Sequence, residues 1–252
     1  MRSKAAHPPQ ATLFERLLVK AMILAAGRGE RMRPLTDTVP KPLLTVAGEP
    51  LILRIIRGLA RAGVTELVVN ISHLGAQIER ALGTGAAYGA GISYSHEAVA
   101  LETAGGIATA LPLLGGEPFI VVNADICTDF DFASLPDLAA ADTGRMLAHL
   151  VLVDNPPHHP DGDFVLAGGK VREAGAHRLT FAGIGVYDPA LFADVVPGTK
   201  HQLAPLLRAA MARDAVTGVH HRGLWTDVGT PARLAEVDAA LRAGSVPKEP
   251  AA

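Results

Sequence analysis

Apolar positions alternate between two rhythms along the chain. A strand-like apolar run at 20–25 leads into a loop containing Gly27, Arg28 and Gly29. From about 49 to 62 the rhythm is helical, with Leu51, Ile52, Ile55, Ile56 and Leu59 on one stripe and Gly63 placed to close the helix. A strand at 66–71, a helix at 74–82, a strand at 92–95 and a helix at 104–111 continue the alternation. Phe119, Ile120, Val121 and Val122 are apolar without a break, between Pro118 and Asn123-Ala124-Asp125, as in a strand buried on both faces.

After a strand at 147–153 the texture changes. Pro156, Pro157, His158, His159, Pro160 and Gly162 mark a long loop, followed by strand-like pieces at 163–166, 170–172 and 179–187. A helix at 202–213 turns Leu203, Leu206, Leu207, Ala210 and Met211 inward, and a strand at 225–227 precedes a helix at 231–242. Strands alternating with amphipathic helices predict an α/β fold whose mostly parallel sheet is covered on both faces. No solenoid period and no hexapeptide repeat is present. The organisation expected is a flexible N-terminal extension at 1–20, one compact domain at 21–243 and a flexible Pro- and Ala-rich tail at 244–252.

A formal net charge of -2 over 252 residues lacks the basic excess of a nucleic-acid binder. No apolar run reaches the roughly 18 residues that a membrane span needs. Residues 1–20 lack the apolar core of a signal peptide, so a cytoplasmic protein is expected. Cys127 is the single cysteine and reads as a small buried hydrophobe.

The first strand runs into Leu24-Ala25-Ala26-Gly27-Arg28-Gly29-Glu30-Arg31-Met32-Arg33-Pro34-Leu35-Thr36. Glycines directly after a strand let backbone amides approach phosphate oxygens, and nearby cations offset their charge. Arg31-Met32 breaks the dinucleotide fingerprint, and no Gly-Lys-Ser/Thr follows to make a Walker loop. Pro40-Lys41-Pro42-Leu43 comes next, and its prolines fix the backbone around Lys41 and disfavour helix there. Two aspartates follow strands: Asp125 after the most apolar one, and Asp227 in Trp225-Thr226-Asp227-Val228-Gly229-Thr230. Strand ends of this kind are where open α/β sheets bind ligands, and magnesium takes one or two carboxylates together with phosphate oxygens.

Taken together, the glycine loop, the Pro-Lys-Pro-Leu segment and the two aspartate motifs resemble the sugar-1-phosphate nucleotidyltransferases, the sugar-nucleotide pyrophosphorylase family. The resemblance implies a Rossmann-like three-layer α/β sandwich with a mixed, mostly parallel central sheet, the GT-A-like nucleotidyltransferase fold, without a C-terminal β-helix. It divides the domain into a nucleotide-binding half at about 21–130 and a sugar-binding half at about 131–243. It implies that Leu24, Ala25, Ala26, Gly27 and Gly29 hold the nucleotide, and that Arg31 and Lys41 act on its phosphates. It also implies that Asp125 and Asp227 share Mg2+. Ala124 stands where glycine is common in the family.

Leu101-Glu102-Thr103-Ala104-Gly105-Gly106 resembles the family's base-binding turn, with Glu102 replacing the usual glycine. Glu97, five residues upstream, accepts equally well from uracil N3–H or from guanine N1–H and N2–H, so it leaves the base open. The stretches from Ala148 to His159, from Gly162 to Phe164 and from Leu179 to Ile184 are most similar to the branch using UTP and N-acetylmuramic acid 1-phosphate in peptidoglycan recycling. On that likeness Asn123, Asn155, Gly162 and Gly183 face the sugar. For the lactyl carboxylate the candidates are Asn155, His158, His159, His177, Arg178, Lys200 and His201, with the histidine pair preferred. Mannose- or glucose-1-phosphate nucleotidyltransferase is the alternative in the same class. A non-catalytic sugar-nucleotide sensor is the alternative outside it, though it would have no need of Lys41, Asp125 and Asp227.

Overall fold

In the computed structural model, residues 19–138 and 146–244 are described. The predicted extension and tail fall outside them, apart from residues 19, 20 and 244. The core is a nine-stranded sheet. Its first four neighbours are parallel: β5 (Gly91–His96), β4 (Glu66–Ile71), β1 (Lys20–Leu24) and β6 (Phe119–Asn123). The order continues through β11 (Arg178–Tyr187), β8 (Ala148–Val153), β12 (Val216–His220), β10 (Lys170–Arg172) and β9 (Phe164–Ala167). Strands β11 and β10 run against the rest, so the sheet is mixed as expected. β9 also pairs with β11, so the far end of the sheet curls back on itself.

Side-chain alternation within single strands builds the two faces. Ala21, Ile23, Ile120 and Val122 join α1 (Leu51–Arg61) and α2 (Gly75–Leu82) in one core cluster. Met22, Phe119 and Val121 join α3 (Glu102–Leu114) and α4 (Leu203–Met211) in the other. β6 is therefore buried on both sides, as its apolar run predicts. On α1 the whole predicted stripe is buried, each side chain contributing roughly 1.5–3 kcal/mol by the usual transfer scale. α5 (Pro231–Arg242) lies outside these layers, and its Leu234, Val237 and Leu241 pack on Met32, Leu44, Val46 and Val228. The last helix thus packs against Met32, at the far end of the glycine loop.

Short elements depart from the expected pattern. Lys41–Leu43 forms one 3-10 turn although prolines flank the lysine. Pro42 is accepted there because the opening positions of a helical turn need no N–H partner. β2 (Thr45–Val46) and β3 (Glu49–Pro50) form a hairpin where helix was expected to begin. Its two turn residues, Ala47 and Gly48, have φ of 51° and 84°, as a tight hairpin demands. β7 (Ile126–Thr128) and β12 are too short to show a period of two. A cavity of about 280 Å³ at the amino-terminal edge of the sheet, lined largely by Val19, Val64, Ile120, Leu135 and Val186, lies away from every motif residue.

Candidate active site

Register brings the motifs to one edge. Leu24 is level with Asn70 on β4 and with Asn123 on β6, and Asn70 is level with Ser95, so the loops after β1, β4, β5 and β6 leave the sheet side by side. Carboxyl ends of parallel strands are the usual ligand edge of such sheets.

In the first loop, Ala25 N–H donates to the Asn70 side chain at 2.7 Å, and Ala124 N–H donates to Leu24 C=O at 3.1 Å. Ala25 and Ala26 are buried, whereas Gly27 and Arg28 are exposed. A Cβ on Gly27 would meet no protein atom, so the fold itself does not require glycine there. Gly29 is different. Its φ is 67°, and a Cβ would lie 3.0 Å from the Thr36 methyl and 3.2 Å from Lys41 Cβ. That glycine lets Lys41 close against the loop. Arg31 is exposed on the 3-10 turn Glu30–Met32, and Arg28 contacts the His73 ring at 3.1 Å.

The two aspartates, 102 positions apart in sequence, are joined by a small ladder. β13 (Trp225–Asp227) pairs antiparallel with β7, placing Asp227 opposite Ile126, and Val228 N–H donates to Asp125 C=O at 2.8 Å. The Trp225 indole donates to Ala182 C=O at 2.9 Å and ties the ladder to β11. Each carboxylate carries a cation: Lys41 Nζ on Asp125 Oδ2, and Arg233 Nη1 on Asp227 Oδ1 at 2.6 Å. His158 Nε2 lies 2.9 Å from that same Asp227 oxygen and also contacts Arg233. No cluster of three or more metal-ligating side chains exists among the described residues. Two carboxylates on adjacent strand ends are the oxygen donors that a hard divalent ion takes, with phosphate oxygens completing its shell.

Glu97, expected near the base, is engaged by the protein itself. It is 6% exposed, and its oxygens accept from Asn70 Nδ2 at 2.7 Å and from Leu101 N–H at 2.9 Å. Its carboxylate therefore shapes the turn before α3 and, through Asn70, holds Ala25. Glu102 is exposed with φ 62°, the left-handed conformation that favours glycine, which explains glycine as the family's usual residue there. Gly105 and Gly106 admit close neighbours: a Cβ on Gly105 would lie 2.1 Å from Thr199 C=O, and one on Gly106 2.6 Å from Glu97. His201 C=O caps α3 by accepting from Ala104 and Gly105 N–H.

Glu102, Thr103, Asn123, Asp163, Phe181 and Leu203 line a cavity of about 300 Å³. Gly183 stands at a β11 bulge with φ 72°, and a Cβ there would lie 2.4 Å from the Asn123 amide. Asn155, expected to face the sugar, is bonded within its own loop. Its amide donates to Pro160 and Arg178 carbonyls at 2.9 and 3.0 Å and accepts from Thr180 at 2.9 Å, so it is spent on the loop. Gly162 is buried and makes room for that side chain. His159 is bonded to Asp163 at 3.0 Å, and His158 points at Asp227. The proline-rich loop does reach the ligand edge, but its first histidine meets the acidic pair.

Arg233 escaped the sequence reading. The available signal was its place in the first turn of α5, three residues after the Thr230 N-cap, where a cation opposes the helix dipole. Only a carboxylate in front of it makes that position favourable.

Fold and site together define an α/β protein whose glycine loop and paired carboxylates meet at one sheet edge. The chain belongs to the nucleotidyl transferase family, whose profile matches residues 20–164. It is 56% identical over 225 residues to N-acetylmuramate alpha-1-phosphate uridylyltransferase of Neisseria meningitidis, covering 88% of this chain and 97% of that one. It is 40% identical over 235 residues to the protein of the same name from Caulobacter vibrioides, covering 86% of this chain and 97% of that one. The crystal structure of HddC from Yersinia pseudotuberculosis superposes with a TM-score of 0.70 at 16% identity, covering 88% of this chain and 99% of that one. Among the described residues no helix is long and apolar enough to cross a membrane.

Proposed function

We propose that this protein transfers the uridylyl group of UTP to N-acetylmuramic acid 1-phosphate, giving UDP-N-acetylmuramic acid and pyrophosphate. The observation that carries the reading is the meeting of Lys41, Asp125 and Asp227 at the carboxyl edge, beside a glycine loop. The choice of base and sugar draws its support from the two relatives named above.

A phosphate oxygen of the sugar 1-phosphate attacks the α-phosphorus of UTP, and the bond between that phosphorus and the α–β bridging oxygen breaks as pyrophosphate leaves. The attacker is already an anion, so no general base is needed, and catalysis is positioning plus charge neutralisation. Amides of the loop from Ala26 to Gly29 cradle the triphosphate, with Arg31 and Lys41 offsetting its charge. Asp125 and Asp227 hold Mg2+, which supplies Lewis-acid neutralisation on the phosphates when bound. The turn from Leu101 to Thr103 receives the base, and the cavity beside Asn123 receives the sugar.

Purified protein supplied with UTP and N-acetylmuramic acid 1-phosphate is expected to release pyrophosphate only when magnesium is added. GTP with mannose 1-phosphate should be used far less efficiently. Preference for the second pair would replace the substrate assignment, and no turnover with any sugar 1-phosphate would support the sensor reading.

A further inference from the structure

The backbones of two aspartates are brought side by side, through the β7–β13 ladder and the bond from Val228 N–H to Asp125 C=O, so two negative charges enter one region of the sheet edge. Such a pair repels unless opposite charge compensates it. The compensation is built into the chain, and each cation is less exposed than its carboxylate. The Lys41 side chain is 11% exposed against 32% for Asp125, and that of Arg233 13% against 24% for Asp227. Arg233 is also held against local preference, since it opposes the dipole of α5. Arg233 and His158 share Asp227 Oδ1, and Gly229 leaves room for the guanidinium, since a Cβ there would lie 2.3 Å from Arg233 Nη2.

We propose that Lys41 and Arg233 are guard cations that occupy the acidic pair until metal and substrate arrive, and that Arg233 is then handed to the phosphate of the incoming sugar. This rests on the assignment of Asp125 and Asp227 to the metal. A divalent ion entering the pair competes with both cations for carboxylate oxygens. Once displaced, each cation faces the anionic groups that the substrates bring, and Arg233 can meet a phosphate with two parallel N–H donors. The same charge thus stabilises the empty site and later binds substrate.

The consequence is counterintuitive. Removing a guard cation should tighten metal binding to the free enzyme while weakening sugar phosphate binding. Mn2+ alone is titrated into the full chain and free ion is counted by electron paramagnetic resonance, while calorimetry follows N-acetylmuramic acid 1-phosphate. Arg233→Met is expected to bind Mn2+ about fivefold more tightly, the scale of losing one partly exposed competing ion pair. Its affinity for the sugar phosphate should fall about tenfold. Arg233→Lys keeps the charge and should stay within about twofold of wild type for Mn2+. Lys41→Met is a second variant on the other carboxylate, expected to tighten Mn2+ binding in the same way. If Arg233→Met and Lys41→Met, folded by circular dichroism, bind Mn2+ no better than wild type, the guard role is wrong although the metal site stands. If wild type shows no Mn2+ site that Asp227→Asn removes, the metal assignment itself fails and the guard role with it.

Discussion

Gly183→Ala tests whether the sugar cavity depends on a single missing methyl group. Gly183 has φ 72° at the point where β11 shifts register against β8, and its side-chain direction points at Asn123. An alanine in the left-handed region costs about 1–2 kcal/mol. The added Cβ would also lie 2.4 Å from Asn123 Nδ2 and 2.7 Å from its Cγ, closer than packed atoms approach. Relieving that overlap costs about 1–3 kcal/mol more, which gives about 2–5 kcal/mol in all. For a domain of this size the melting temperature should fall by roughly 4–20 °C. The cheaper way out is for Asn123 to turn aside, and it lines the cavity proposed for the sugar. So the KM for sugar 1-phosphate should rise about tenfold or more while that for UTP stays nearly constant. Urea unfolding followed by circular dichroism and initial rates with each substrate varied supply both numbers. A variant destabilised by less than about 1 kcal/mol, with an unchanged sugar KM, would refute the close packing on which the argument depends.

Asp125→Asn and Asp227→Asn should each lower kcat at least about a hundredfold in folded protein, the scale of losing one electrostatic stabiliser, and a variant with near wild-type turnover would remove that residue from the metal site. His149, mostly buried on β8 and bonded to Thr217 at 2.9 Å, has its pKa pushed down by burial to about 4. The unfolded chain takes that proton more readily, so stability is complete above about pH 6.5 and declines as pH falls toward 4, by up to about 3 kcal/mol. His149→Gln should flatten that part of the profile, and urea midpoints at pH 7 and 4.5 that fall equally in both proteins would contradict it.

What could be read from the chain was whatever local periodicity and local motif control. The stripe on α1, the doubly buried β6 and the glycine closing α1 depend on neighbours three or four positions away, and they were all legible. The glycine loop and Pro-Lys-Pro turn were legible for the same reason. The hairpin at Thr45–Pro50 and strands β7 and β12 were not, because their few residues carry neither an unbroken apolar run nor a neighbouring motif to mark them as strands.

Side-chain roles at the site depended on contacts across the sequence. Glu97 carries a motif position, yet the closeness of Asn70 and the Leu101 amide turned its carboxylate inward and made it part of the frame. Asn155 was drawn into its own loop by Thr180, Pro160 and Arg178. Arg233 and His158, 75 positions apart, became partners because α5 and the proline-rich loop converge on Asp227. The sequence alone determined the order of strands and helices and the chemistry available at the sheet edge, since both follow from local pattern. The tertiary structure alone decided which cation meets which carboxylate, because those distances are set by how the sheet, the β7–β13 ladder and the last helix pack together.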